Sequence, residues 1–201
     1  MKIVLLVEGK TETAFRDKLK AFLDERCDRQ DKPKISLRTK PMDSRLMSER
    51  RIGERVTMSL RDPDVACVIA LVDVYTNFDS ARAAKEFLRR AVGDEPRFHA
   101  HAAQFDFEAW LLPYWDDICK RLKVNKQRPG ANPEQVDDLK PPSRHLAELY
   151  RLAKRARSYD KARDGKAILR GKDLTVAASQ CPELKGLLNT LLGCAGLDLL
   201  S

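Results

Sequence analysis

Two kinds of hydrophobic pattern alternate along the first hundred residues. KIVLLV (2–7) and ACVIALVD (66–73) are short, nearly unbroken apolar runs, the signature of strands covered on both faces. ISLRT (35–39) and RFHAHAAQF (97–105) are weaker runs that also read as strands. Between them the period lengthens to that of a helix. In TETAFRDKLKAFLDERC (11–27), Ala14, Phe15, Leu19, Phe22 and Leu23 share one face. Ile52, Val56 and Leu60 do the same in SERRIGERVTMSLRD (48–62), and DSARAAKEFLRRAV (79–92) opens on Asp79 as an N-cap. The order β-α-β-α-β-α-β predicts an α/β fold: a Rossmann-like parallel sheet of about four strands with helices on both faces.

Beyond residue 105 the pattern becomes helical. FDFEAWLLPYWDDICKRL (105–122) predicts one or two helices broken near Pro113, with Trp110 and Trp115 in the core. Residues 123–142 hold four of the ten prolines and read as a loop. Residues 143–201 are helical again. The expected division is therefore a core over 1–122, a Pro-rich loop over 123–142, and a helical C-terminal region over 143–201 packed on or beside the core.

The strand ends carry the candidate chemistry. Ligands of open parallel sheets bind outside the carboxyl ends of the strands, where strand order reverses. Glu8 closes the first strand and Asp73 the third. If those strands are neighbours, ~4.8 Å apart, their carboxylates can share one divalent ion. Mg²⁺ or Mn²⁺ suits two carboxylates, several waters and a phosphate. Gly9 permits a tight turn, and the helix that follows offers free N–H groups to an anion, with Lys10 beside them and Thr11 as its N-cap. Glu12 reads as a first-turn acid favourable to the helix dipole. No GxxxxGK[ST] or GxGxxG motif occurs. An ordinary polar end to a strand remains the plainer reading of either acid alone.

Charge sharpens this only in part. The chain of 201 residues carries a formal net charge of +8 with a pI near 9.3. Ten Lys and Arg stand against three acids between Arg144 and Lys172, which concentrates +7 of that excess. Arg144, Lys161 and Lys166 are the candidates there for salt-sensitive contact with nucleic-acid phosphates, against a solvated helical face as the alternative. Asp164–Gly165 reads as a turn. His99 and His101 share a strand face and suit zinc, but no Cys or His cluster in sequence backs them, so packing is favoured. The five cysteines are odd in number, scattered and without a CxxC pair, which argues against a disulfide framework and for a reducing compartment. With no signal-like segment and no membrane-length apolar run, the expectation is a cytoplasmic protein.

VEGKTE (7–12), VDVY (72–75), FDFEAWLL (105–112), PSRHL (142–146), YDKARDG (159–165) and CP (181–182) occur in that order. Together they resemble the Toprim-like proteins, and more narrowly a bacterial Toprim-related family described only as a domain of unknown function. The resemblance implies a Toprim fold, a metal held by Glu8 and Asp73, and Mg²⁺-dependent phosphodiester cleavage or transfer. It also implies an ATPase partner in phage defence. One position departs from the pattern: Tyr75 stands where the Toprim signature has a second Asp, and a phenol is a poor Mg²⁺ ligand near neutral pH. Asp79 or Glu108 is the expected replacement, Glu108 as a catalytic acid and Asp79 as a metal ligand. Two readings follow. One is a metal-dependent nuclease acting on DNA or RNA. The other is a non-catalytic nucleic-acid or partner-binding subunit with a decayed acid site. A nucleotide-binding regulatory module is a third, weaker reading.

Overall fold

In the computed structural model the described residues are all except 9, 43–47, 76, 137–139 and 154–157, and of residues 10–14 only the backbone is described. Four strands form one sheet in the order β2-β1-β3-β4: β1 (Lys2–Val7), β2 (Ser36–Pro41), β3 (Val65–Asp73) and β4 (Phe98–Ala103). Every neighbouring pair is parallel. The first and third strands are therefore adjacent, with Val7 opposite Leu71.

The unbroken apolar runs are explained by cover on both faces. Along β1, Ile3, Leu5 and Val7 enter one core while Val4 and Leu6 enter the other. The smaller core lies under α2 (Glu49–Leu60) and α3 (Ala81–Val92), through Ile52, Val56, Ala84 and Leu88. Both helices start on a serine. Ser48 accepts from the Arg51 amide, and Ser80 accepts from the Ala83 amide at 3.1 Å. Ser80 thus takes the N-cap that the sequence suggested for Asp79. An extended residue with a short hydroxyl one position later meets the same orphan donors.

The larger core faces α1 (Lys10–Arg29) and continues without a break into the C-terminal region. After β4 come a 3-10 turn, Phe107–Tyr114, and α4 (Trp115–Leu122), separated where Pro113 interrupts α-helical bonding. Trp110 and Trp115 are each 1% exposed. Then α5 (Pro142–Leu152), α6 (Lys161–Leu169), α7 (Leu174–Ala178) and α8 (Pro182–Cys194) complete the chain. Leu146, Ile168, Leu187 and Leu191 join Phe15 and Leu19 in one cluster, so these helices are a layer on the sheet's α1 face. Asp164 and Gly165 lie inside α6, not in a turn: Asp160 caps that helix by accepting from the Arg163 amide at 2.7 Å. Gly165 faces Phe107 and Leu111 of the 3-10 turn, where a Cβ would make only ordinary van der Waals contact.

The expectation of no disulfide is corrected at one pair. Cys67 of β3 and Cys194 at the end of α8 form a disulfide across 127 residues of sequence. The spacing carried no sign of it, because only the packing of α8 on the sheet brings the two together. Cys27, Cys119 and Cys181 are free and buried. Among the described residues no helix is long and apolar enough to cross a membrane.

Candidate functional site

Parallel strands place all their carboxyl ends at one edge. There Glu8 leaves β1 and leans toward β3: the Asp73 amide N–H donates to its Oε2 at 3.4 Å. Both acids are half-buried. The chain leaving β3 stays against β4, with the Val74 amide donating to Ala103 O at 3.1 Å and the Tyr75 amide to Phe105 O at 2.5 Å.

The exit from β4 adds two more acids. Phe105 takes a left-handed conformation (φ 66°), uncommon for a residue with a bulky side chain, and this swings Asp106 and the 3-10 turn back over the edge. The Phe107 amide then donates to Asp73 Oδ1 at 3.0 Å, so Asp73 caps the turn that carries Glu108. Asp106 is 2% exposed and Glu108 is fully buried. Asp106 Oδ2 accepts from the Ser143 amide at 3.3 Å. It thereby supplies the anionic end cap that Pro141, at the N-cap of α5, lacks.

Lys161 is the cation among these acids. Its Nζ donates to Glu108 Oε2 at 3.1 Å and lies 3.9 Å from Asp106. The Tyr159 hydroxyl donates to Glu108 Oε1 at 3.2 Å. Lys161 is the first residue of α6, and its placement follows from the Asp160 cap beside it.

Burial sets the titration of this cluster. Desolvation, reinforced by the charge of Asp106, pushes Glu108 up to about 7 against the pull of Lys161. Asp106 is raised as well, chiefly by burial. Burial alone would lower Lys161, but Glu108, Asp106 and Asp73 outweigh it and hold the ammonium above its ordinary value. Burial and the neighbouring Glu108 raise the Tyr159 phenol, keeping it a protonated donor.

The predicted residues therefore separate into groups. Glu8, Asp73, Glu108 and Lys161 meet at the sheet edge. Lys161 stays 45% exposed while its Nζ turns to the two buried acids, so it stands at the rim of the edge. Asp79 lies exposed on the link between β3 and α3, and Tyr75 is 41% exposed. Arg144 is exposed in the first turn of α5. Lys166 pairs with Asp17 of α1 at 2.9 Å. Gly9 lies outside the described residues, as do the side chains of Lys10, Thr11 and Glu12. Part of the basic run is internally neutralised: Arg163 binds Asp164 and Lys172 binds Asp117.

Asp106 and Tyr159 were missed as site residues. The available signal was the acid in FDFE directly after a fourth strand, the same pattern that singled out Glu8 and Asp73. Tyr159 opens the YDKARDG segment that carries the resemblance, but its bond to Glu108 depends on how the chain entering α6 docks.

The donor types at this edge are those a hard divalent ion takes: the carboxylates of Glu8 and Asp73, and Asp106 Oδ1, which is buried without a hydrogen-bond partner among the described residues. These acids do not bring three ligand atoms within 4.8 Å of one another, so the edge offers an ion at most a pair of them as it stands. Each Glu108 oxygen accepts one bond, from Tyr159 and from Lys161.

A family model described as "Domain of unknown function (DUF4276)" matches residues 7–192. Among solved structures, the chain is similar to the C-terminal region of the Burkholderia pseudomallei OLD protein. The two share 13% identity, the match covers 96% of this chain and 98% of that one, and the TM-score is 0.49. No curated protein matches.

Proposed function

The chain belongs to the DUF4276 family, and from its acid edge we propose that it is a divalent-metal-dependent nucleic-acid phosphodiesterase of Toprim type. The observation that carries this reading is the meeting of Glu8 and Asp73 at the ends of adjacent parallel strands. A bound Mg²⁺ or Mn²⁺ at such a pair supplies Lewis-acid polarisation of a phosphoryl oxygen and a more acidic bound water.

The chain's own residues divide the remaining work. Glu8 and Asp73 are the metal ligands. Asp73 also fixes the 3-10 turn, so the acid pair and the buried carboxyls hold one geometry. Lys161 neutralises Asp106 and Glu108 and has a remaining N–H with which to meet a phosphate oxygen. Glu108, titrating near neutrality, holds Lys161 and Tyr159 in place; it is a positioning group, not a ligand. Arg144, exposed at the start of α5, suits sequence-independent contact with the polyanion.

A second reading has its own support. Tyr75 replaces an expected acid and points to solvent, and Glu108 is fully engaged. A binding subunit with a decayed acid site, working beside an ATPase partner, accommodates both facts. The discriminating experiment is cleavage of plasmid DNA and of RNA with Mg²⁺ or Mn²⁺, comparing wild type with Glu8→Gln and Asp73→Asn. Cleavage lost in both variants supports the phosphodiesterase. Equal cleavage in all three proteins removes it. Absence of cleavage together with absence of calorimetric Mn²⁺ binding favours the binding subunit.

A further inference from the structure

The far half of the sheet carries a second ligand set with different chemistry. Cys67 and His99 sit on the same face of β3 and β4, since Ile69 is the partner of His99 and Cys67 lies two residues earlier. Cys194, the last residue of α8, comes down onto that face. One ligand atom from each of the three lies within 4.8 Å of the other two. The two cysteine Cα atoms are 6.3 Å apart. His99 also borders a groove of about 320 Å³ lined by Lys85, Arg89, His101 and Glu183, so its outer side has room for water.

We propose that, when Cys67 and Cys194 are reduced, these two thiolates and the His99 imidazole bind a soft divalent cation such as Zn²⁺, with water as the fourth ligand. Two thiolates and a neutral imidazole match the charge and the softness of that ion. Tetrahedral coordination asks for sulfurs ~3.8 Å apart, given Zn–S bonds of ~2.3 Å. Two cysteines anchored on facing elements reach that separation once the bond between them is gone. Metal and disulfide are then alternative states of one site. A phosphine reductant delivers two electrons to the S–S bond, two protons complete the thiols, and the phosphine leaves as its oxide with oxygen from water. Zn²⁺ binding next displaces the two thiol protons to solvent. In either state the end of α8 is fastened to β3.

This site is separate from the acid edge. Cys67 and Asp73 are six residues apart on β3, about 20 Å along a strand. The remaining cysteines do not compete for the metal: among the described residues Cys27, Cys119 and Cys181 belong to no such cluster of three ligand atoms.

The test is a Co²⁺ titration of the full chain, reduced with a phosphine under exclusion of air. The expected result is a cobalt–thiolate charge-transfer band whose intensity corresponds to one cobalt per chain, displaced by Zn²⁺. The band disappears in Cys194→Ser and in protein oxidised with diamide, and affinity falls at least about tenfold in His99→Ala. Co²⁺ held by carboxylates gives no thiolate band, so failure here is distinguishable from failure of the phosphodiesterase reading. Because Cys194→Ser can perturb folding, the wild type is also alkylated with and without Zn²⁺ and the modified cysteines are mapped by mass spectrometry. Selective protection of Cys67 and Cys194 supports the site. A missing thiolate band in the reduced wild type, its persistence in Cys194→Ser or oxidised protein, unchanged affinity in His99→Ala, or unprotected Cys67 and Cys194 would each overturn it.

Discussion

Glu108→Gln tests the electrostatics of the buried edge without touching the two proposed metal ligands. Glu108 is fully buried and titrates at about 7, against an ordinary 4.5. The folded protein therefore binds its proton more tightly than the unfolded chain does. Such a group stabilises the fold least above its folded value, so stability falls as pH rises from about 4.5 to about 7. At about 1.4 kcal/mol for each pH unit, the loss across that window is about 3 kcal/mol. Glutamine carries no titrating proton and abolishes this contribution. Its carbonyl oxygen can still accept from one of Lys161 and Tyr159, so the variant also loses some stability at every pH. The informative quantity is the change with pH of the difference between variant and wild type. The assay is urea denaturation from about pH 5 to about pH 8 in chelator, so that no metal neutralises the edge. The expected result is a variant that gains about 2–3 kcal/mol on wild type across the range. Parallel curves would refute the assignment. The wild-type curve alone is not diagnostic, because His101 titrates in the opposite sense.

Further expectations follow from neighbouring contacts. His101 is held down to about 3, chiefly by burial, and its ring is 2.9 Å from the Thr190 hydroxyl. A depressed folded value means stability is lost as pH falls below about 6.5, so His101→Gln should remove about 2 kcal/mol of the acid loss near pH 5, measured by denaturation. Lys161→Met should raise the Glu108 titration above about 7, read by carboxyl ¹³C NMR; an unmoved titration would show that the pair at 3.1 Å has no electrostatic weight. Trp110→Phe removes the indole N–H that donates to the buried Glu134 at 3.0 Å, and should cost about 2–3 kcal/mol in urea melts through the lost bond and packing.

The parts of the structure legible in sequence are those that local pattern encodes. KIVLLV and ACVIALVD could be buried only as central strands, and their shared polar terminus at Glu8 and Asp73 followed from parallel pairing. The strand order β2-β1-β3-β4 then made them neighbours. The inner half of the edge was less legible. Glu108 was found by its position after β4, but its partners, Tyr159 and Lys161, come from the entry into α6, more than fifty residues on. Lys161 was legible as an exposed cation of a basic run, but not as the partner of Glu108, because its acidic neighbours are close only in space. Asp106 was hidden by the unusual backbone of Phe105, which no periodicity predicts. The disulfide is the extreme case, since its two cysteines meet only through the docking of the last helix on the sheet.

The central claim is that Glu8 and Asp73 jointly hold a divalent ion. Anomalous diffraction from crystals soaked in Mn²⁺ tests it most directly. The expected result is a single strong peak at that edge, ~2.2 Å from an oxygen of each of the two side chains. A peak elsewhere, or none at the ends of β1 and β3, would contradict it.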